Sequence, residues 1–290
     1  MSVVSRFAPS PTGPLHLGHA WSALVAHDAA RTAGGQFLLR IDDIDPGRVR
    51  SAFRDAIDVD LAWLGLVPDG EPLVQSLRFP AYRAALERLA GDGLAYPCFC
   101  TRAEIAAEIA ASASAPHGPD GPVYPGTCRR LSANEAAARI VAGEAHAWRL
   151  DMAGALGRTG PLVWYDETGR AIAADPAPFG DIVLARRDAP ASYHLASTLD
   201  DAATGVTLAV RGSDLFAATH IHRLLQALLD LPSPAYLHHQ LIGDADGRRL
   251  AKRHDAASIA SLRAVGVDPN TLITDLRIGR LPLGYRWVAP

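Results

Sequence analysis

Two histidines stand where their type and spacing could bind a phosphate. His16 and His19 are three residues apart, at the point where the turn-rich run 9–14 passes into an Ala/Leu-rich segment. A helix that begins near Leu17 would direct free N–H groups and the positive end of its dipole at that run, which favours an anion. Both imidazoles could then meet one phosphate, and Gly18 would let a flat base approach the backbone. The alternative is a proline-rich turn that carries two ordinary surface histidines.

The single lysine of the chain is the second candidate. Lys252 is the one lysine among 28 basic residues. A chain that otherwise uses arginine has kept one compact, flexible ammonium, which indicates the requirement of a site. The alternative is a solvated basic turn.

These two segments resemble the signature motifs of class I aminoacyl-tRNA synthetases. Residues 6–19 (RFAPSPTGPLHLGH) resemble the HIGH motif in its glutamyl/glutaminyl version, and residues 249–253 (RLAKR) resemble a degenerate KMSKS loop. The resemblance implies activation of an amino acid by ATP, with Mg²⁺ carried mainly by the phosphates. Because the substrate carboxylate is already ionised, positioning and electrostatics suffice, without a nucleophilic side chain or a general base. The implied ATP-binding residues are His16, Gly18, His19 and Lys252, and the implied catalytic residues are His16, His19 and Lys252.

Charged residues at the ends of three predicted strands could hold a substrate with two carboxylates and one ammonium. Arg6 and Arg211 end two of these strands, and Asp42 closes the third. In an open parallel sheet the carboxyl ends of the strands share the edge where ligands bind. The two arginines would then face carboxylates, and Asp42 would face the α-ammonium. Resemblance to glutamyl-type enzymes implies contacts with L-glutamate by Arg6, Phe7, Ala8, Pro9, Ser10, Asp42, Tyr193 and Arg211.

Asp42 departs from the pattern of the glutamyl-type enzymes. Relatives usually carry Glu before the aspartate at position 43, whereas this chain has Asp42. The negative charge is kept, but its reach is one methylene shorter. For Asp42, Asp43 and Asp45 the alternative role is helix capping or surface charge.

Three cysteines and a tyrosine could form a small metal site. Cys98, Cys100 and Cys128 offer three thiolates and Tyr124 offers a phenol, whereas structural zinc usually takes four Cys and His ligands. The alternatives are three buried free cysteines, or His117 in the place of Tyr124. The arrangement C-x-C followed by Y-x-x-x-C resembles the zinc module of the small glutamyl-type enzymes. It implies one structural Zn²⁺ per chain, bound by Tyr124 and the cysteines, which would hold the insertion that meets the RNA.

Strands that alternate with helices predict an α/β fold built on a parallel, Rossmann-type sheet. A segment that holds all three cysteines and a loose Ser-, Pro- and Gly-containing run interrupts this pattern. We therefore expect a catalytic domain in residues 1–93 and 151–240, an inserted zinc-binding subdomain in 94–150, and the lysine loop with a short helical segment in 241–290. The predicted strands are 3–7, 36–41, 182–185 and 206–210, and the predicted helices are 17–31, 49–64, 80–90, one from 192, and 215–229.

Composition narrows the class of protein. At 290 residues with 49% hydrophobic content, the chain can bury a full core. A net charge of −3 is not that of a protein that coats nucleic acid, so RNA contacts must come from local basic patches such as 248–253. Three cysteines fit a reducing cytoplasm, and neither a secretory signal nor a membrane span is apparent. We expect a cytoplasmic monomer without a membrane partner.

The length of chain after the lysine loop bears on the RNA substrate. The residues after about 255 are too few for the helical domains with which full glutamyl-tRNA synthetases read the anticodon. The short form resembles the glutamyl-queuosine tRNA(Asp) synthetase family, which activates glutamate without tRNA and transfers it to queuosine at the wobble position of tRNA(Asp). The implied partner is the anticodon arm of tRNA(Asp). The alternatives are a truncated enzyme that charges tRNA(Glu), and a non-catalytic, ATP-sensing tRNA-binding paralogue.

Overall fold

The chain forms helices and short strands throughout the part that the computed structural model describes, residues 2–111, 117–119, 121–248, 250 and 258–288. None of the helices in these ranges combines the length and the apolar character that crossing a membrane requires. The helices are α1 Leu17–Thr32, α2 Ser51–Trp63, α3 Phe79–Gly91, α4 Arg102–Ala111, α5 Ala133–Val141, α6 Met152–Thr159, α7 Tyr193–Ala203, α8 Phe216–Leu228, α9 Ile259–Ala264 and α10 Pro269–Arg277. The strands are β1 Val4–Phe7, β2 Gln36–Ile41, β3 Leu73–Val74, β4 Ala95–Cys98, β5 His117–Gly118, β6 Gly121–Pro122, β7 Ala147–Leu150, β8 Val163–Asp166, β9 Ala171–Ala173, β10 Val183–Ala185, β11 Leu208–Gly212, β12 Ala235–His239, β13 Leu241–Asp244 and β14 Tyr285–Val288.

Parallel strands lie at the centre of the molecule. β1 pairs in parallel with β2, and β2 pairs in parallel with β3. β11 pairs in parallel with β12 and β12 with β8, while β9 lies antiparallel to β8. The Thr207 N–H donates to the Val4 carbonyl oxygen over 2.9 Å, which joins the start of β11 to β1. The predicted α/β fold with a parallel sheet is confirmed.

A separate antiparallel sheet corrects one predicted strand. β4 and β7 of the inserted segment pair antiparallel, and β10 pairs antiparallel with β7. The alternation of strands and helices places 182–185 in the parallel sheet, whereas the structure places it beside β7. The reason is burial, because Leu184 and Leu150 belong to one apolar cluster. The domain boundaries stay a prediction, and β10 indicates that the inserted subdomain uses a strand beyond residue 150.

The C-terminal part contains two short helices, as predicted, and also a strand pair that the sequence does not predict. β13 and β14 pair antiparallel, with Leu241 opposite Val288 and Asp244 opposite Tyr285. The Trp287 ring of β14 lies edge-on against Trp21 of α1, with centroids 5.0 Å apart. Because the two strands are distant in sequence and gain their stability from such contacts, local patterns do not reveal them.

Helix α1 packs on the sheet and presents its first turn to the site described below. Leu17, Ala20 and Leu24 recur at helical spacing and are buried. Just after the helix, a Cβ on Gly35 would lie 1.8 Å from the Val3 carbonyl oxygen. Only glycine fits this contact, which sets β2 beside β1 and so aligns the strand ends at one edge.

Candidate active site

The turn between β1 and α1 brings the two predicted histidines together. His16 is the N-cap of α1, and its Nδ1 accepts a hydrogen bond from the Gly18 N–H over 3.1 Å. His19 Nδ1 accepts from the His16 N–H over 3.1 Å, and the two ring centroids are 3.8 Å apart. In each neutral ring the proton therefore lies on Nε2. The two adjacent imidazoles at the N-terminus of α1 therefore form a site that suits an anion.

One cavity of about 320 Å³ collects the predicted site residues. It lies at the carboxyl ends of β1, β2 and β11, beside the start of α1. The Asp42 N–H donates to the Pro9 carbonyl oxygen over 3.0 Å, which holds the end of β2 against the loop after β1. The predicted glutamate- and ATP-binding residues within the described ranges all line it: Arg6, Phe7, Ala8, Pro9, Ser10, His16, Gly18, His19, Asp42, Tyr193 and Arg211.

Lys252 lies outside the described residues, but the structure places the chain on both sides of it. Leu250 lines the cavity, two positions before Lys252. After the segment 251–257, Ser258 forms a β-bridge with His16. Both flanks of the lysine segment therefore meet the cavity that the histidines line.

Two arginines of the cavity pair with aspartates. Arg6 donates from Nε and Nη2 to the Asp201 carboxylate over 2.9 and 3.1 Å. Arg40 donates to Asp201 over 2.6 Å and to the Asp42 carboxylate over 2.7 and 3.2 Å. Burial on its own would raise the pKa of Asp201, but Arg6 and Arg40 outweigh it and hold this pKa below its usual value.

Arg40 and Asp201 are functional candidates that the sequence reasoning misses. Arg40 lies in the apolar strand β2, and Asp201 lies on the buried face of α7. A charge inside an apolar pattern is a signal that could have found them, since such a charge needs a partner. The identity of the partner could not be read, because the two residues are far apart in the chain.

Asp42 lies where it is predicted but already has a cationic partner. Both of its carboxylate oxygens accept hydrogen bonds from Arg40. Burial raises the pKa of Asp42 above its usual value, and the charge of Arg40 opposes that shift. A ligand ammonium would share this carboxylate with Arg40. Asp43 and Asp45 have other partners: Asp43 accepts from the backbone N–H and hydroxyl of Ser76, and Asp45 pairs with two arginines.

Arg211 is the arginine of the cavity that has no carboxylate partner in the described part of the chain. Its side chain is buried, and Nη1 lies 3.2 Å from His222 Nδ1. The guanidinium also lies over the Tyr236 ring, 4.7 Å from the centroid. Among the described residues, nothing accepts a hydrogen bond from its Nε or Nη2, although both atoms are buried. Because unmet buried donors of a charged group are costly, Arg211 presents a directional site for an anion.

The buried charges around the cavity leave one positive charge in excess. Arg6 and Arg40 are balanced by two carboxylates, whereas Arg211 is not. Asp214, a further acidic residue of the wall, is exposed. The ammonium and α-carboxylate of an amino acid cancel each other, so a ligand with a side-chain carboxylate would neutralise the excess. The charges that enter this sum are those of Arg6, Arg40, Arg211, Asp42 and Asp201, while the buried Asp200 is balanced by Arg78 at 2.6 Å.

Several histidines near this edge of the sheet are held neutral by burial. Burial lowers the pKa of His194 to about 4, and the charge of Arg211 adds to the effect. Burial and the same arginine lower the pKa of His238 to about 3 and that of His222 well below its usual value. The folded chain therefore binds these protons only at low pH.

Stability is expected to fall as the pH drops below about 6.5, the ordinary pKa of histidine. Below that pH the unfolded chain binds a proton on each of His194, His222 and His238, whereas the folded chain does not. Going from pH 7 to pH 5 should cost about 2 kcal/mol of unfolding free energy for each of the three. Urea unfolding at several pH values measures this, and a midpoint that stays constant from pH 7 to pH 5 would contradict it.

A second, larger cleft of about 840 Å³ adjoins the cavity, and Tyr193 lines both. The cleft lies between β10 with its following loop and the inserted segment. Five arginines and three aspartates (Asp45, Asp181 and Asp188) line this cleft, which we call the basic cleft. Its lining therefore has two more cationic than anionic side chains. Positive charge beside a site favours a phosphate backbone. The arginines that line the cleft are Arg48, Arg102, Arg149, Arg186 and Arg187.

The three cysteines and Tyr124 meet in one cluster. The sulfur atoms of Cys98, Cys100 and Cys128 lie within 4.8 Å of one another and could hold a metal ion. Cys100 Sγ lies 3.4 Å from Cys128 Sγ and 3.5 Å from the Tyr124 hydroxyl oxygen. The Cys128 N–H donates to that oxygen over 2.9 Å. Four donors this close, three of them sulfur, suit a soft metal ion.

Comparison with known proteins identifies the family. A family model described as the catalytic domain of class I tRNA synthetases (E and Q) matches residues 2–283. The chain is 51% identical over 281 residues to a glutamyl-Q tRNA(Asp) synthetase of Rhodobacter capsulatus, which covers 92% of this chain and 97% of the relative. It is 43% identical over 281 residues to a glutamyl-Q tRNA(Asp) synthetase of Symbiobacterium thermophilum, which covers 93% of this chain and 84% of the relative.

Solved structures agree with the fold. The glutamate-tRNA synthetase of Elizabethkingia anophelis superposes with a TM-score of 0.78 at 27% identity, covering 94% of this chain. A glutamate tRNA ligase of Elizabethkingia meningosepticum in complex with its amino acid gives a TM-score of 0.77 at 26% identity. This chain spans about 60% of the length of either solved chain. The catalytic fold predicted from the two signature motifs is confirmed.

Proposed function

This chain belongs to the class I tRNA synthetases of the glutamate and glutamine type, and we propose that it activates L-glutamate with ATP and transfers it to queuosine at the wobble position of tRNA(Asp). The relatives that share most of its length are glutamyl-Q tRNA(Asp) synthetases, which supports this substrate over the 3′ end of tRNA(Glu). As a member of this family, the chain is an enzyme of the ligase type.

The excess positive charge at Arg211 is the observation that supports glutamate as the amino-acid substrate. Its Nε and Nη2 have no acceptor in the described ranges, so a planar carboxylate would satisfy both at once. Glutamate brings one such group on its side chain and neutralises the cavity, whereas glutamine does not. Arg6, although paired with Asp201, lines the same cavity and has remaining donors for a ligand oxygen.

Activation requires no side-chain base. An oxygen of the α-carboxylate attacks the α-phosphorus of ATP, the bond from that phosphorus to the pyrophosphate oxygen breaks, and glutamyl-adenylate forms. His16, Gly18 and His19 would hold the phosphates and the base at the start of α1, and Mg²⁺ would accompany the phosphates. Lys252, which follows Leu250 by two residues in the sequence, would stabilise the pyrophosphate as it leaves.

The basic cleft is the proposed place for the RNA. Tyr193 lines both this cleft and the cavity of the predicted site residues, which supports the binding of a nucleotide with its hydroxyl near the adenylate. The hydroxyl oxygen of the cyclopentenediol attacks the glutamyl carbonyl carbon, the bond to AMP breaks, and the adenylate phosphate accepts the proton. The anticodon arm of tRNA(Asp) is the proposed partner.

The acceptor nucleotide can be tested with labelled glutamate and five RNAs, one of them tRNA(Glu) without its 3′-terminal adenosine. We expect acceptance by tRNA(Asp) that carries queuosine, and also by the same tRNA after removal of its 3′-terminal adenosine. We expect none by tRNA(Asp) with guanosine at the wobble position, and none by tRNA(Glu). Acceptance by tRNA(Glu) that disappears with its terminal adenosine would instead establish the truncated tRNA(Glu)-charging enzyme. Absence of glutamate-dependent ATP–pyrophosphate exchange would favour a non-catalytic paralogue.

We also propose that the cysteine cluster holds one structural Zn²⁺. Three thiolates at these distances fit its preference for sulfur, and the Tyr124 hydroxyl oxygen, 3.5 Å from Cys100 Sγ, supports Tyr124 as the fourth ligand. The side chain of His117, the other candidate, lies outside the described part of the structure. Arg187 donates to the Cys100 carbonyl oxygen over 2.9 Å and also lines the basic cleft, so the metal would steady that wall.

Loss of a cysteine ligand is expected to release the metal. Cys128→Ser should abolish one-to-one zinc in the purified protein and lower the Tm by roughly 5–10 °C. Ser132→Ala is the matched control, because it removes the cap of α5 in the same subdomain without touching the cluster. Metal analysis and thermal unfolding measure both effects. A wild-type protein without zinc, or a Cys128→Ser protein that retains it, would contradict the assignment.

A further inference from the structure

The side chain that holds Arg211 is a histidine, whereas the other two arginines of the cavity are held by carboxylates. Arg6 and Arg40 pair with Asp201 over 2.9 and 2.6 Å. Arg211 has His222 Nδ1 at 3.2 Å from its Nη1, and no carboxylate oxygen lies within 4 Å of it among the described residues. The partner of the one unbalanced arginine is thus a group that carries no negative charge.

The hydrogen bond determines the form of the imidazole. An arginine can only donate, so His222 Nδ1 must accept and the proton of the ring must lie on Nε2. A doubly protonated ring would direct an N–H at the guanidinium and add a second positive charge. Burial and the charge of Arg211 both lower the pKa of His222, which agrees with a neutral ring. The rings of Tyr193 and His194 face it, each with its centroid 5.4 Å away.

We propose that His222 is a positioning residue for amino-acid selection: it holds Arg211 in place through a neutral acceptor and so leaves the charge of the guanidinium available for a substrate carboxylate. This inference rests on the proposed activation of glutamate and adds the residue that keeps glutamine out.

The charge of the partner decides which side chain the cavity accepts. A carboxylate at position 222 would cancel Arg211, and the cavity would then be neutral before any ligand bound. A neutral amide side chain would meet no uncompensated charge there, and a second carboxylate would be repelled. With histidine at position 222, a bound glutamine would leave the buried cation of Arg211 unpaired, which is strongly unfavourable.

Two substitutions separate charge from shape. His222→Asn keeps a neutral acceptor near the position of Nδ1, and His222→Asp places a negative charge there. Exchange kinetics with glutamate and with glutamine give the ratio of kcat/KM for the two amino acids. We expect His222→Asp to lower the glutamate-to-glutamine ratio by about 10-fold or more, mainly through a higher KM for glutamate, and His222→Asn to keep the ratio within about threefold of wild type. His220→Asn, on the same helix and outside the cavity, is the matched control.

Two outcomes would overturn the proposal. In the first, His222→Asp leaves the glutamate-to-glutamine ratio at the wild-type value, as expected if His222 only fills space and affects both amino acids alike. In the second, His222→Asp and His222→Asn lower the ratio equally, so that the charge at position 222 does not matter. The wild-type protein provides a measurement that does not depend on folding of the variants. ¹⁵N spectra of the histidine rings should show His222 neutral, with its proton on Nε2, at pH 7. A charged ring, or one with the proton on Nδ1, would equally overturn it. Wild-type exchange with glutamate reports separately on the proposed function, so failure of the two is distinguishable.

Discussion

Arg211→Ala is expected to raise the KM for glutamate in ATP–pyrophosphate exchange by about 100-fold or more, with a much smaller effect on kcat. The guanidinium is buried, and two of its donors have no acceptor in the described part of the protein. Its proposed carboxylate partner is present in the ground state and in the transition state alike. Removal of such a uniform interaction weakens binding rather than the chemical step.

The same substitution should reduce the preference for glutamate over glutamine, because the excess positive charge disappears with the side chain. Arg54→Ala is a suitable control, since that arginine pairs with Asp58 on the surface of α2. Exchange kinetics across a range of glutamate concentrations measure the effect. An Arg211→Ala enzyme whose KM for glutamate matches that of wild type would remove Arg211 from the binding site.

Local chemistry explains why much of the cavity could be predicted. His16 and His19 lie three residues apart in one turn. Arg6 and Arg211 stand near the ends of two strands, so their placement follows from strand direction alone. Gly18 and the residues after Phe7 belong to the same continuous segment. These positions depend on short stretches of chain, and the structure places them around one cavity.

The rest depends on contacts between distant segments. Arg40 of β2 and Asp201 of α7 meet through a side-chain hydrogen bond, and no spacing in the sequence indicates this contact. The same holds for His222, whose role is visible only once Arg211 is seen to lack a carboxylate partner among the described residues. The predicted place of β10 in the parallel sheet is wrong for the same reason. Its pairing with β7 reflects the burial of Leu184, which local sequence does not indicate.

The proposed role of Lys252 draws on both kinds of information. The sequence shows that it is the single lysine, and the structure describes the residues that flank its segment. Leu250 lies in the wall of the cavity, and Ser258 is bridged to His16. These flanks support the proposal that the Lys252 ammonium stabilises the departing pyrophosphate, the group on which charge develops.

Lys252→Ala is expected to lower kcat for ATP–pyrophosphate exchange by about 100- to 1,000-fold while changing the KM for glutamate only slightly. Lys252→Arg should recover part of the rate, because the charge is kept while the shape of its donors changes. Arg248→Ala is the matched control: this exposed cation stands four residues earlier in the same basic run and pairs with Asp246. If Lys252→Ala and Arg248→Ala exchange pyrophosphate as fast as wild type, the lysine does not stabilise the transition state. If Lys252→Ala instead raises only the KM for glutamate, the ammonium belongs to the amino-acid end of the cavity.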